Sequence, residues 1–242
     1  MRRRFFVDLF EGASARMEGE AAHHLARVLR AQTGQLYELS DGSSAFLARI
    51  ESVTHDCVEF KLLDPLPAPH SAIELTLLVS IVKFDSFEWA LEKATELGVT
   101  KIVPLASARS DKPLLAAAAK RADRWRKILL ESSQQSRRLR LPTLESLASP
   151  ATAFSSAIAD LRVLLSERSG AAPIRQILDG ANSGGAKSAV LAFGPEGGWT
   201  DDELASARSF GFREASLGSL ILRAETAVVA AVSVLNYEFS AR

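Results

Sequence analysis

The chain has 242 residues, 47% hydrophobic and 24% charged, the proportions of a folded globular protein rather than a fibrous or disordered one. Its 29 basic and 29 acidic side chains cancel, which argues against a surface given over wholly to nucleic acid and leaves room for a local patch. Cys57 is the only cysteine, so an internal disulfide and a cysteine-based zinc cluster are excluded, and the apolar runs are of strand length, far short of a membrane span.

The opening MRRRFFVDLFEG sets an aspartate and a glutamate where a signal peptide needs an apolar core, so a cytoplasmic location is expected. Arg2, Arg3 and Arg4 form a small basic cluster there. In EAAHHLARVLR, Glu20 to Arg30, the spacing predicts a short helix with Leu25, Val28 and Leu29 on one face and His23, Arg27 and Arg30 on another. The adjacent histidines, with only His55 and His70 elsewhere and no acidic residue at ligand spacing, make a metal site improbable. Two extended runs flank Asp41-Gly42, a hairpin dipeptide, in QLYELSDGSSAFLARIESV, and CVEFKLLD alternates as a further strand. Several short strands in about seventy residues suggest a small barrel. The stretch DPLPAPHSA, Asp64 to Ala72, carries three prolines and reads as a stiff linker that divides residues 1–70 from 71–242.

Beyond it strands and helices alternate. AIELTLLVSIV is a buried strand, and DSFEWALEKATELG a helix with Asp85 as N-cap, Glu88 in the reciprocal capping position and Gly98 as its stop. KIVPLAS is the next strand, and a basic helix is expected from about Leu114 to Gln135. LRVLLSE, SAVLAFG and REASLG are short buried strands, so a mostly parallel sheet covered on both faces is expected. Lys120 to Arg140 holds eight basic residues against Asp123 and Glu131, a pattern that serves a solvated helix face or an anionic partner.

FGPEGGWTDDEL, Phe193 to Leu204, joins the strand SAVLAF to a helix that Thr200 and Glu203 cap as a box, with Asp201 and Asp202 in its first turn. That start is already satisfied and the aspartates cancel its dipole, and neither GxxxxGK[ST] nor GxGxxG is present. A triphosphate is a poor occupant; a positively charged nucleoside without phosphate is allowed, and a plain tight turn remains open. In LGSLILRAETAVVAAVSVLNYEF, Gly218 turns the chain and a helix starting near Ala224 is apolar nearly all round, with Ala227, Ala230, Ala231 and Ser233 as small residues. Arg223 and Glu225 are the charges at its start, placed for a closing ion pair or for a site at the C-terminal end of a parallel strand.

Taken together FGPEGGWTDDEL, LGSLILRAETA and ALEKATELGVTKIVPL, with HHLARVLR and QQSRRLRLP, resemble the bacterial RsmE methyltransferases of the SPOUT class over the whole chain. The resemblance implies an α/β fold with a trefoil-knotted, mostly parallel sheet in 71–242 and an N-terminal PUA-like β-barrel, binding RNA, in 1–70. It implies S-adenosylmethionine as cofactor, held by Gly194, Pro195, Glu196, Gly197, Gly198, Leu217, Gly218, Leu222 and Thr226. It implies a homodimer that methylates a uridine at N3 in 16S rRNA of the small ribosomal subunit, with no membrane association. Magnesium is not required by that chemistry. Arg223 is expected to stabilise the deprotonated base, with Arg109 and Arg138 as alternatives, and Glu225 to orient Arg223 or to serve as base. Arg4, Arg27, Arg30, Arg109, Arg137, Arg138 and Arg140 are expected to meet RNA. The chain departs from the family pattern at Ser86, Ala108, Gln134 and Leu220, positions expected to face RNA rather than cofactor. Those departures keep open a catalytically weak RNA-binding protein of this fold, or a methyltransferase acting on another nucleotide.

Overall fold

The computed structural model describes residues 3–67, 73–183 and 185–239, and the chain divides into two compact units. Arg2, His70 and the rest of the proline-rich stretch from 68 to 72 lie outside the described residues. One unit takes the chain up to that stretch together with Leu130–Leu141, and the other takes the remainder.

In the first unit β1 (Arg4–Phe6), β2 (Phe10–Glu11) and β3 (Ser14–Glu18) precede α1 (Gly19–His23), and β4 (Leu36–Ser40), β5 (Ala45–Val53) and β6 (Cys57–Pro65) follow it. The described strands form one six-stranded sheet in the order β1-β4-β5-β6-β3-β2. β1 runs parallel to β4, and the other ladders are antiparallel. The expected hairpin is present: β4 and β5 pair from Leu36↔Arg49 to Ser40↔Ala45. Asp41 Oδ1 accepts the amides of Ser43 and Ser44 at 2.8 Å each, and Gly42 supplies the positive φ of 85° that the turn needs. The β5–β6 register shifts twice, and such bulges add twist that curls a sheet. Phe5, Leu25, Leu39, Ile50, Val58 and Phe60 fill the concave core.

Two expectations fail here for identifiable reasons. Val28 is 63% exposed although Leu25 is buried. The helix widens to π turns over His24–Val28, where Leu29 N–H donates to the His24 carbonyl, and a wider turn rotates each side chain through a smaller angle. Arg4 is no surface cation. It is 4% exposed, its Nε and Nη2 donate to Glu38 Oε2 at 3.2 and 3.0 Å, and its Nη1 donates to the Arg137 carbonyl at 2.8 Å. A guanidinium buried with its carboxylate has no donor to spare for a phosphate.

In the second unit β7 (Glu74–Ser80), α2 (Phe84–Glu96), β8 (Lys101–Leu105) and α3 (Lys112–Ala118) come first. A 3-10 turn at Ala119–Arg121 joins α3 to α4 (Ala122–Gln135), whose last residues belong to the first unit. Then come β9 (Thr143–Leu144), α5 (Pro150–Ser156), β10 (Leu161–Leu165), β11 (Ala172–Pro173), α6 (Ile174–Ser183), β12 (Ser188–Phe193), α7 (Asp201–Ser209), β13 (Arg213–Ser216) and α8 (Ala224–Phe239). The described strands form a seven-stranded sheet in the order β11-β13-β10-β12-β7-β8-β9, with every ladder parallel. Side chains alternate between its faces. Leu75, Leu77, Val79, Val163, Leu165, Leu191 and Phe193 pack under α2, α4, α6 and α8, whereas Leu78, Leu164, Val190 and Ala192 pack under α5 and α7.

The start of α2 is not the expected cap. The helix begins two residues earlier, after Lys83, with no side-chain cap. Glu88 is drawn away instead: it is buried, and Arg124 Nε and Arg121 Nη1 donate to its two oxygens at 2.7 and 3.2 Å. Its far end is as expected, since Gly98 (φ 92°) and Val99 donate to Thr95 and Ala94 in a Schellman closure. In α8, Ala231 is fully buried with Val228, Val232 and Leu235 in this unit's own core. An aspartate there would attack the fold rather than an interface.

Removing Arg4 leaves the buried Glu38 with only Arg137, at 3.4 Å, and also removes the bond to the Arg137 carbonyl. Arg4→Ala is therefore expected to lower stability by about 3 kcal/mol, read from the urea midpoint at constant slope. A loss under about 1 kcal/mol would show that the pair behaves like an exposed one.

Candidate active site

In a parallel sheet the loops after the strands gather at the C-terminal end, and ligands bind there. Here the loops after β10, β12 and β13 enclose a cavity of about 520 Å³, within the range of small-molecule sites. Its lining includes Gly194, Pro195, Glu196, Gly197 and Gly198 after β12, and Leu217, Gly218, Leu220, Ile221, Leu222 and Arg223 after β13. These residues include all those expected to hold the cofactor except Thr226. Also in the lining, and not singled out from the sequence, are Leu165 at the end of β10, Ser166, Glu167 and Arg168 after it, and Trp199. The readable signal for the first four was the strand LRVLLSE itself, whose C-terminal end had to open on the same side.

The glycine loop is held from three directions. Trp199 Nε1 donates to the Leu165 carbonyl at 2.9 Å, with the indole packed against Phe154. Arg109, in the loop after β8, donates from Nη1 to the Gly197 and Trp199 carbonyls at 2.9 and 3.3 Å. Gly198 N–H closes a turn on the Pro195 carbonyl at 2.8 Å. Close approach fixes the glycines. A Cβ on Gly194 would stand 3.1 Å from the Trp199 ring and one on Gly197 3.1 Å from the Arg109 Cβ, while Gly198 takes φ 67°. At Gly197 the constraint is thus the arginine beside it rather than a strained turn.

The start of α7 is closed as expected. Thr200 Oγ1 accepts the Glu203 amide at 3.2 Å, and Glu203 Oε2 accepts the Thr200 amide at 2.8 Å. Asp201 pairs with Arg168 at 2.7 Å. Of the three arginines in the lining, Arg109 and Arg168 are thus engaged by protein acceptors. Among the described residues no hydrogen bond or ion pair engages the Arg223 side chain, and none joins it to Glu225. Arg223 is exposed and immediately precedes α8, where the helix dipole adds positive potential to its charge. Glu225 and Thr226, on the first turn of α8, stand outside the cavity lining.

The remaining arginines belong to the first unit. Arg27 and Arg30 are exposed, and Arg30 takes a positive φ of 51°. Arg137 (φ 56°) approaches Glu38 at 3.4 Å; Arg138 donates to the Arg140 carbonyl, and Arg140 to the Gly42 carbonyl. Burial lowers the Arg138 guanidinium to about 10. Arg109 turns its Nη1 onto the glycine loop, where it meets two carbonyls. Of the four positions where the chain departs from the family pattern, Leu220 lies on the cavity lining at 80% exposure; Ala108 offers its amide to Glu203 Oε1 at 2.8 Å.

Residues 69–236 match the RNA methyltransferase domain family. The chain is 34% identical over 226 residues to the ribosomal RNA small subunit methyltransferase E of Synechocystis sp., covering 88% of this chain and 70% of that protein. The crystal structure of a ribosomal RNA small subunit methyltransferase E from Neisseria gonorrhoeae bound to S-adenosyl methionine superposes with a TM-score of 0.87 at 28% identity, over 98% of both chains. A putative methyltransferase from Legionella pneumophila, in complex with the same cofactor, gives a TM-score of 0.85 at 28% identity, again over 98% of both chains.

Proposed function

Because the chain belongs to the family of the small-subunit ribosomal RNA methyltransferases E, we propose that it methylates a uridine at N3 in 16S rRNA of the small ribosomal subunit, with S-adenosylmethionine as cofactor. The observation that carries this reading is the cavity at the strand ends. It has the size for an adenosyl ligand, glycine backbone on one wall and Leu165, Leu217 and Leu222 for a base to rest on. Glu167 and Glu196 in the lining offer acceptors to ribose hydroxyls and to a cation. The glycine loop offers a triphosphate no free helix start: the α7 start is capped by Thr200 and Glu203, and Arg109 and Arg168 beside it are engaged by protein acceptors. The residues present fit the cofactor, and Gly194 to Gly198 with Leu217, Gly218 and Leu222 would hold it. When bound, S-adenosylmethionine supplies an electrophilic methyl group on a sulfonium sulfur.

The chain's own contribution is position and charge. Arg223 is the lining arginine with its donors uncommitted, and the α8 N-terminus reinforces its field. A cation there favours loss of the imide proton and stabilises the charge that spreads onto the uracil oxygens. Glu225 makes no ion pair with Arg223, so it acts on Arg223 through the field rather than by contact.

The finer architecture is part of the same proposal. The curled, twice-bulged sheet of the first unit supports a PUA-like RNA-binding barrel over residues 1–70, joined by the 130–141 segment. The second unit, residues 71–242, is proposed as the SPOUT domain. β13 lies beyond β10 from β12, and α8 then returns to pack on α2, the course a trefoil-knotted C-terminus would follow. Arg27 and Arg30 are the proposed phosphate contacts, together with Arg137, Arg138 and Arg140. No helix among the described residues is long and apolar enough to cross a membrane, and cytoplasmic action on ribosomal subunits is proposed. A symmetric homodimer is supported by Leu220, Ile221 and Tyr237, which are 80, 78 and 80% exposed on or beside α8.

Calorimetry should detect S-adenosylhomocysteine binding and no ATP binding, and Gly197→Val, whose branched side chain must displace Arg109, should abolish the former. ATP binding with no response to the adenosyl ligand would refute the cofactor assignment. In single-turnover titrations on small subunits, Arg223→Ala should lower the maximal rate by about a hundredfold or more and leave subunit affinity nearly intact. A change confined to affinity would make Arg223 an RNA clamp. Light scattering should give a dimer at micromolar concentration, and Tyr237→Glu should shift it toward monomer without unfolding; a wild-type monomer would rule the dimer out.

A further inference from the structure

The loop from Gly194 to Trp199 contains three glycines, the residues that lose most conformational freedom when ordered. Left to itself such a segment would meet a ligand as an ensemble, and ordering it would subtract from affinity. The peptide group is planar, so holding a residue's carbonyl also aims the next residue's N–H. Arg109 holds two such carbonyls. By engaging Gly197 O it orients the Gly198 N–H, which closes the turn on Pro195 O at 2.8 Å. By engaging Trp199 O it orients the Thr200 N–H, which donates to Glu203 Oε2 at 2.8 Å. The other oxygen of Glu203 returns to the loop that carries Arg109, accepting the Ala108 amide at 2.8 Å. The two loops are therefore closed into a ring of hydrogen bonds: Arg109 to the glycine loop, the glycine loop to Glu203, and Glu203 to Ala108.

We propose that Arg109 is a positioning residue for the cofactor: by locking the Gly197 and Trp199 peptides through this ring it preorganises the glycine loop and sets the affinity for S-adenosylmethionine, rather than contacting RNA. This rests on the cofactor reading above. Both bonds leave one nitrogen, Nη1, whose two hydrogens lie fixed in the guanidinium plane, so the carbonyls are met in a set geometry that a freely rotating lysine ammonium would not impose. Glu203 is its counterpart on the other side of the ring, a positioning residue whose two oxygens serve the helix cap and the Ala108 amide separately.

The test is titration of S-adenosylhomocysteine into wild type, Arg109→Ala, Arg109→Lys and Glu203→Gln, with steady-state kinetics on small subunits for the same proteins. Arg109→Ala is expected to weaken binding by about tenfold or more, the equivalent of one charge-assisted hydrogen bond, with Arg109→Lys between it and wild type. The KM for S-adenosylmethionine should rise in parallel, while kcat at saturating cofactor and KM for subunits stay within about threefold, the pattern of lost uniform binding. Glu203→Gln keeps only one acceptor oxygen, so it should weaken the same binding, and it decides the matter if Arg109→Ala does not fold. Unchanged cofactor affinity in a folded Arg109→Ala, or a rise confined to the KM for subunits with a flatter salt dependence, overturns the inference and restores Arg109 as an RNA contact. If wild type itself fails to bind the adenosyl ligand, the cofactor reading falls, and this inference with it.

Discussion

A parallel sheet delivers every strand to the same end, so loops far apart in sequence must share one patch of space. In this chain the loops after β8, β10, β12 and β13 meet that demand together, and the first three are fastened to one another by side chains bonded to backbone. Trp199 reaches the last residue of β10, Arg109 reaches the glycine loop, and Glu203 reaches Ala108. The cavity is what remains between loops so fastened. Its shape comes from carbonyls already claimed and glycines already fixed, which is why little side-chain bulk is needed on the wall that Gly194 to Gly198 provide.

Charge at this end of the sheet follows the same economy. Two of the three arginines lining the cavity are held by protein groups: Arg168 is paired with Asp201, and Arg109 is bonded to two carbonyls. In the α7 first turn Glu203 is likewise taken up by the cap and Asp201 by Arg168. Arg223 stands apart, an exposed cation at a helix N-terminus where the dipole disfavours it. A position that local electrostatics argues against is one where function is a sufficient reason.

How much of this could be read from the chain depended on whether the deciding partner was local. The strands were legible because a doubly covered parallel sheet writes each as an unbroken apolar run, as in LTLLVS and AVLAF. Thr200-x-x-Glu203 and Asp85-x-x-Glu88 carry the same spacing, yet only the first forms a box. Glu88 was claimed by Arg121 and Arg124, more than thirty residues away, and no local pattern announces that. Arg4 looked like part of a basic surface for the same reason, its partner Glu38 lying 34 residues on. Val28 failed differently, since the heptad-like spacing was read on a 3.6-residue period and the chain adopts a wider one. The site loops were legible as motifs, but the fasteners between them were not: Arg109 and Gly197 are 88 residues apart.

The helix α8 sits on the face of the sheet formed by Leu75, Leu77, Val163, Leu191 and Phe193, and gives that core Val228, Ala231, Val232, Leu235 and Phe239. It also follows every strand of that sheet in sequence. During synthesis, then, the part of this face that α8 covers stays open to water until that helix has emerged from the ribosome, and such bare apolar surface is the natural target of a chaperone or a protease. The same docking sets Arg223 in place at the head of the helix. Completion of this core and placement of Arg223 beside the cavity are therefore a single event in the life of the nascent chain.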